Sequence, residues 1–243
     1  MAVLFISDLH LEPARPDRID DFRHFCATRA READSLYILG DLFEAWIGDD
    51  EDDDALGGVL DSIAQLCHTG VRCYFMHGNR DFLAGRGFAE RTGATILGDY
   101  ECITLFGERV LLMHGDLLCT DDVRYLELRR QLRDAGWQQD FLSKSLDERR
   151  QIAAGLRELS KNEMAAKSEA IMDVNDEAVR ATMRQHDVRM LLHGHTHRPA
   201  IHRFDLDGQP AIRVVLSDWY GPGGYARWTG EGPVLESLGS TAG

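Results

Sequence analysis

The chain has 243 residues, 44% of them hydrophobic and 28% charged, which is the balance of a folded globular chain and excludes a disordered one. Its 41 acidic residues outnumber 27 basic ones, and the net charge of −14 argues against a general nucleic-acid binder, which needs basic patches to displace counterions. No apolar run approaches the roughly 18 residues of a membrane span, and five cysteines without CxxC spacing fit a reducing compartment better than a disulfide framework or a zinc knuckle.

The first element is VLFI at residues 3–6, a short apolar run that reads as a buried strand. The stretch around it, MAVLFISDLHL, has no basic segment and carries Asp8 among its apolar residues, so no secretory signal is expected and the location is taken as cytoplasmic. Helical patterns at residues 17–31, 56–69 and 83–92 alternate with strand-like runs LYIL (36–39) and CYFM (73–76). The acidic run DDEDDD at 49–54 reads as a solvated loop. Hairpin-like runs follow at 103–106, ahead of Gly107, and at 211–216, with VLLM (110–113) and MLL (190–192) as further strands. Strand and helix in alternation, with hairpins later, predict an α/β sandwich of mixed sheets flanked by helices.

Residues 121–186 differ. They show helical periodicity without proline, and they hold 12 of the 27 basic residues. This divides the chain into a core of 1–120 and 187–243 and a helical insertion of 121–186. The arginines 124, 129, 130 and 133 read as solvated.

Each strand-like run is followed by a potential metal ligand. Asp8 and His10 follow the first, Asp41 the second, Asn79 the third, His114 the fourth, and His195 and His197 the fifth. Ligands of open α/β sheets gather beyond the carboxyl ends of strands, so these seven residues are expected at one sheet edge. Any one of them alone reads as a turn or cap residue; the joint pattern reads as a metal centre. Carboxylate, imidazole and amide donors without thiolate suit a divalent ion such as Mn²⁺, with Fe²⁺, Zn²⁺ or Mg²⁺ as alternatives. Seven ligands suit two ions bridged by one carboxylate, which together activate a water and attract a phosphate group.

The order DxH, GD, GNxD, H, GHxH resembles the calcineurin-like metallophosphoesterase superfamily. The longer strings FISDLHL, LYILGDLFEAWIGDD, HGNRDFL, MHGDLLCTDD, AIMDVN and LLHGHTHRPA resemble the UDP-2,3-diacylglucosamine hydrolases of the lipid A pathway. That resemblance implies a metallophosphoesterase sandwich with a helical lid. It implies that Asp8, His10, Asp41 and His197 hold one manganese ion, while Asp41, Asn79, His114 and His195 hold the other. It implies cleavage of UDP-2,3-diacylglucosamine to UMP and 2,3-diacylglucosamine 1-phosphate, with Asn79, Arg80, Asp122, Ser160, Lys167 and His195 touching substrate and Arg157 on the same helical face. Position 164, polar in relatives, is Met164 here, and that contact is not carried over.

Arg80 stands where the broader superfamily has a histidine that protonates a leaving alkoxide. Arginine stays protonated, so the leaving group must need no proton, which favours a phosphate, whose second pKa is about 6. Arg80 is expected to neutralise pyrophosphate oxygens, acting with His114 and His195 as the catalytic set. The amphipathic insertion is expected to cover acyl chains and to touch the inner-membrane surface transiently from the cytoplasmic face, the chain acting as a monomer without nucleic acid. The rival readings are a nucleotide phosphodiesterase on the same fold, a nuclease, and a non-catalytic scaffold.

Overall fold

The computed structural model describes residues 2–166 and 173–239. Two mixed sheets lie face to face between helical layers. The first has the order β11-β10-β1-β2-β3-β4, from Gly232–Ser237, Gly224–Thr229, Val3–Ile6, Ser35–Leu39, Arg72–Met76 and Thr95–Leu97. The second has the order β5-β6-β7-β9-β8, from Glu101–Leu105, Glu108–Leu112, Met190–His193, Gln209–Val215 and Ala200–Leu206. The strands β1 to β4 run parallel, as do β6, β7 and β9; antiparallel strands close one edge of the first sheet and both edges of the second.

Strand alternation builds the layers. From β1, Val3 and Phe5 face the second sheet, where they join Leu39, Met76, Leu112, Leu192 and Val214 in the inter-sheet core. Leu4 and Ile6 point the other way, onto the helices α1 (Pro16–Ala27), α2 (Asp54–His68) and α3 (Arg86–Thr92), where Phe22, Val59, Ile63 and Phe88 meet them. Because both faces are covered, the strands are continuously apolar, and this is what made the early runs readable. The hairpins β5–β6 and β8–β9 turn at Phe106–Gly107 and Asp207–Gly208, all four at positive φ as a two-residue type I′ turn requires.

The described part of 121–186 is helical: α4 (Val123–Leu132), α5 (Ala135–Leu142), α6 (Leu146–Ala166) and α7 (Asp176–Gln185). The α7 helix packs Val179 and Met183 against Leu111, Met113 and Leu191 on the outer face of the second sheet, so it forms the fourth layer of the sandwich. The helices α4 to α6 stand elsewhere, over the loops that follow the strands.

The acidic run 49–54 is not a free solvated loop. Asp50 and Glu51 pair with Arg149 and Arg150 of α6, and Asp53 caps α2 by accepting from the amides of Ala55 and Leu56. Arg149, with a side chain only 2% exposed, also donates to the carbonyl of Ile47 at 2.8 Å. The run therefore fastens α6 to the core, because a buried guanidinium needs carboxylate and carbonyl acceptors.

Candidate metal centre

The carboxyl ends of β1, β2, β3, β6 and β7 converge, and the loops beyond them are laced together by their backbones. The amides of Asp8 and His10 donate to the carbonyls of Gly40 and Asp41, and the amide of Gly194 donates to that of His114. Three ligand-bearing loops come from the first sheet and two from the second. The expectation of one sheet edge is thus corrected: the rim is shared by two sheets, which a linear reading of strand ends does not distinguish.

The turns that aim these side chains are strained. Among the described residues, eight non-glycine residues have positive φ, and five of them are Asp8, His10, Asp41, His195 and His197. Such conformations are held against their cost by surrounding structure, and they cluster at functional sites. Close approach explains the glycine before Asn79: a Cβ on Gly78 would sit 2.1 Å from Asp41 Oδ1.

The donor atoms of Asp8, His10 and His197 lie within 4.8 Å of one another, as do those of Asp8, Asp41 and His114. Asp41 Oδ2 is 3.8 Å from both His10 Nε2 and His114 Nε2. The end of the Asn79 side chain is 3.1 Å from His114 Nε2 and from His195 Nδ1. His114 Nδ1 lies 2.8 Å from the Leu39 carbonyl and must donate to it, which leaves Nε2 with a lone pair in the neutral ring. With the amide oxygen of Asn79 turned inward, lone pairs face one another across the cluster, an arrangement that a cation satisfies; with the amide turned over, its nitrogen donates to the same atoms.

The seven residues fit divalent metal on two further observations. Asp8 Oδ1 is buried and, among the described residues, accepts no hydrogen bond, with His197 Nε2 as an ion-pair neighbour at 3.3 Å. The cluster also attracts positive charge. Burial pushes the rings of His10 and His114 toward the neutral form, yet Glu44 and Asp41 beside His10, and Asp41 and Asp8 beside His114, hold both above the usual histidine pKa. His195 goes the other way: burial and the neighbouring His114 lower it to about 4, so its ring is neutral and its lone pair free at neutral pH.

Three buried carboxylates that the sequence reading passed over support the loops. Glu44 Oε2 lies 2.8 Å from His10 Nδ1 and turns the opposite ring nitrogen toward the cluster, as carboxylates behind metal-binding histidines do. Asp81 accepts from the amides of Leu42 (2.7 Å) and Gly78 (2.8 Å), tying the second loop to the third. Asp116, two residues beyond His114, accepts from Tyr125 Oη at 2.5 Å and Arg129 Nε at 2.7 Å. Their signal was adjacency to a ligand motif, in LFEAW, GNRD and HGD.

A mostly apolar cleft opens beside the cluster. Asn79 and Arg80 line its inner end, Trp46 and Phe82 its wall, and Leu132 of α4 and Leu156 of α6 its far side. Arg157 and Ser160 also line it, and Arg157 pairs with Glu44 at 2.7 Å. Asp122 caps α4, accepting from the amide of Tyr125 at 3.1 Å. Lys167 lies outside the described residues. Two arginines expected in solvent are half-buried instead. Arg129 pairs with Asp99 at 2.9 Å as well as with Asp116, and Arg133 donates to the Gly78 carbonyl at 2.8 Å and lies over the Phe82 ring. They seat α4 on the ligand loops.

The model of the calcineurin-like phosphoesterases matches residues 1–199. The UDP-2,3-diacylglucosamine hydrolase of Aeromonas hydrophila is 54% identical over 225 residues, covering 92% of each chain. That of an Enterobacter species is 49% identical over 235 residues, covering 97% of this chain and 98% of its own. The chain belongs to the calcineurin-like phosphoesterases, in the UDP-2,3-diacylglucosamine hydrolase family. It is a metal-dependent hydrolase. A solved archaeal phosphodiesterase shares the fold, with a TM-score of 0.52 at 11% identity, over 98% of this chain and 100% of that one. In a phosphoesterase of this family, a cluster of carboxylates and imidazoles beside an apolar cleft is the natural place for phosphoryl chemistry.

Proposed function

We propose that this chain hydrolyses the pyrophosphate bond of UDP-2,3-diacylglucosamine, releasing UMP and 2,3-diacylglucosamine 1-phosphate, the lipid A intermediate. The observation that carries the reading is the apolar cleft that begins at Asn79 and Arg80 and runs beneath α4, α5 and α6. A water-soluble diester would not need such a cleft, whereas acyl chains do.

Two manganese ions would be held by Asp8, His10, Asp41 and His197 on one side and by Asp41, Asn79, His114 and His195 on the other. When bound, the ions supply a nucleophile from water at neutral pH and neutralise phosphoryl charge. The protein's own residues do the rest. The amide of Arg80 fixes Asp41 Oδ1 at 2.8 Å, leaving Oδ2 to span the two groups. The Arg80 guanidinium, where the cleft meets the cluster, stabilises charge on the departing phosphate. That phosphate leaves without needing a proton, as the absence of a histidine at this position requires. Tyr125, tilted 5.9 Å from His195, and Phe141 close the site against water.

The helices α4 to α6 act as the lid, with Arg157, Ser160, Asp122 and Lys167 serving the sugar and phosphate. Val123, Leu142 and Leu159 are 60%, 42% and 64% exposed on these helices. They support transient contact of a monomer with the cytoplasmic face of the inner membrane; among the described residues no helix is long and apolar enough to cross one.

The test is UMP release from UDP-2,3-diacylglucosamine with Mn²⁺, compared with hydrolysis of bis-p-nitrophenyl phosphate. Preference for the lipid is expected; equal or better turnover of the generic diester would favour the nucleotide phosphodiesterase reading instead.

A further inference from the structure

The lipid half of such a substrate has a cleft; its nucleotide half has none assigned. Building on the function above, we propose that Tyr220 is the stacking platform for the nucleobase of the nucleotide half.

The position follows from what surrounds the cluster. The apolar cleft reaches it at Asn79, Arg80 and Glu44, while His10, His197 and Tyr220 do not line that cleft. Tyr220 stands by the other group of donors. Its ring stacks on His10, with centroids 5.1 Å apart and planes 17° apart, and it tilts toward His197 at 5.7 Å. A pyrophosphate laid across the cluster with its lipid in the cleft therefore sends its nucleoside toward Tyr220. A nucleoside 5′-phosphate held at the cluster needs only to span one ribose to reach it.

The ring is both fixed and open. Its hydroxyl donates to Glu44 Oε2 at 3.3 Å, and its amide donates to Asp218 Oδ1 at 2.8 Å. Arg18 donates to the carbonyls of Tyr220 and Gly221. The preceding Trp219 is buried against Phe22 and Phe25, and its amide donates to the carbonyl of Asp8. Held on every side by its backbone and hydroxyl, Tyr220 is still 55% exposed. One face covers His10 while more than half of the residue stays exposed, so the ordering needed for stacking is already in place.

The surroundings select the occupant. His10, His197 and Asp218, none of which lines the apolar cleft, make this a polar neighbourhood, unsuited to an acyl chain. A planar ring with polar edges suits it, since any base presents a π-face to the tyrosine while its edges stay in water.

The experiment is calorimetric titration of UMP and of ribose 5-phosphate into the manganese-loaded chain, for the wild type, Tyr220→Phe and Tyr220→Ala. Both ligands carry the phosphate, and only UMP carries the base. The wild type and Tyr220→Phe are expected to bind UMP about tenfold more tightly than ribose 5-phosphate. In Tyr220→Ala that preference falls to within about twofold, with ribose 5-phosphate unchanged. A preference that survives in Tyr220→Ala, no preference in the wild type, or equal weakening of both ligands would overturn the proposal; the last would mean that Tyr220 only props up His10. Binding is read without turnover, so a chain that shows the base preference but leaves UDP-2,3-diacylglucosamine intact would sink the proposed reaction and support the stacking site.

Discussion

Asp41 Oδ2 stands 3.8 Å from Nε2 of His114, and the same oxygen is 3.8 Å from Nε2 of His10. A single carboxylate oxygen thus faces both groups of donors, while the other oxygen is held by the Arg80 amide. Asp41→Asn keeps the shape and removes the charge. It is expected to lower turnover about a hundredfold or more, and Asp41→Ala or His114→Ala to abolish it, with the circular dichroism spectrum unchanged. Activity retained in the alanine variants would contradict the two-ion scheme.

Glu44 acts at one remove. Burial raises its carboxyl pKa, but His10 and the nearby arginines outweigh this and hold it at about 2, so it is ionised wherever the enzyme works. Glu44→Gln leaves His10 Nδ1 without its carboxylate. Manganese affinity is expected to fall about 10- to 100-fold, measured by titration of the chelator-stripped chain. Unchanged affinity would show that the ring is aimed by packing against Tyr220 alone.

Arg80 gives a kinetic test. Arg80→Ala is expected to lower kcat by about a hundredfold with a smaller change in KM, and Arg80→Lys to recover only part, since a point charge does not match the guanidinium's fork. An unchanged kcat would place Arg80 outside the reaction.

The strands and the convergence of the seven polar residues were legible because they obey local rules: VLFI and CYFM are short apolar runs, and each of the seven follows such a run within a few residues. Glu44, Asp81 and Asp116 were not, because a carboxylate beside a motif looks the same whether it caps a turn or braces a ligand. The arginines of α4 show a related limit. Their alternation with apolar residues predicts an amphipathic helix and leaves open what meets its polar face; here Asp99, Asp116 and the Gly78 carbonyl meet Arg129 and Arg133. The acidic run 49–54 is a largely exposed loop as read, but its anchoring role was not legible for the same reason, its partners Arg149 and Arg150 lying about a hundred residues away. The strands β10 and β11 were missed because Gly, Pro and charged residues dilute their apolar pattern.

The α4 seat carries a stability prediction. Asp116 is buried, and Arg129 is the cation that pairs with it directly. Arg129→Ala leaves that carboxylate with only neutral donors and is expected to cost about 3 kcal/mol in urea unfolding. A loss below about 0.5 kcal/mol would mean that the pair behaves like an exposed one and that α4 is held by its apolar contacts.

The most direct measurement is the manganese content of the purified chain after stripping, reloading and dialysis, made on the wild type and Asp41→Asn together. Two ions per chain in the wild type and fewer in the variant are the predicted result. One ion or none in the wild type, or two in both proteins, would contradict a centre in which Asp41 joins paired cations.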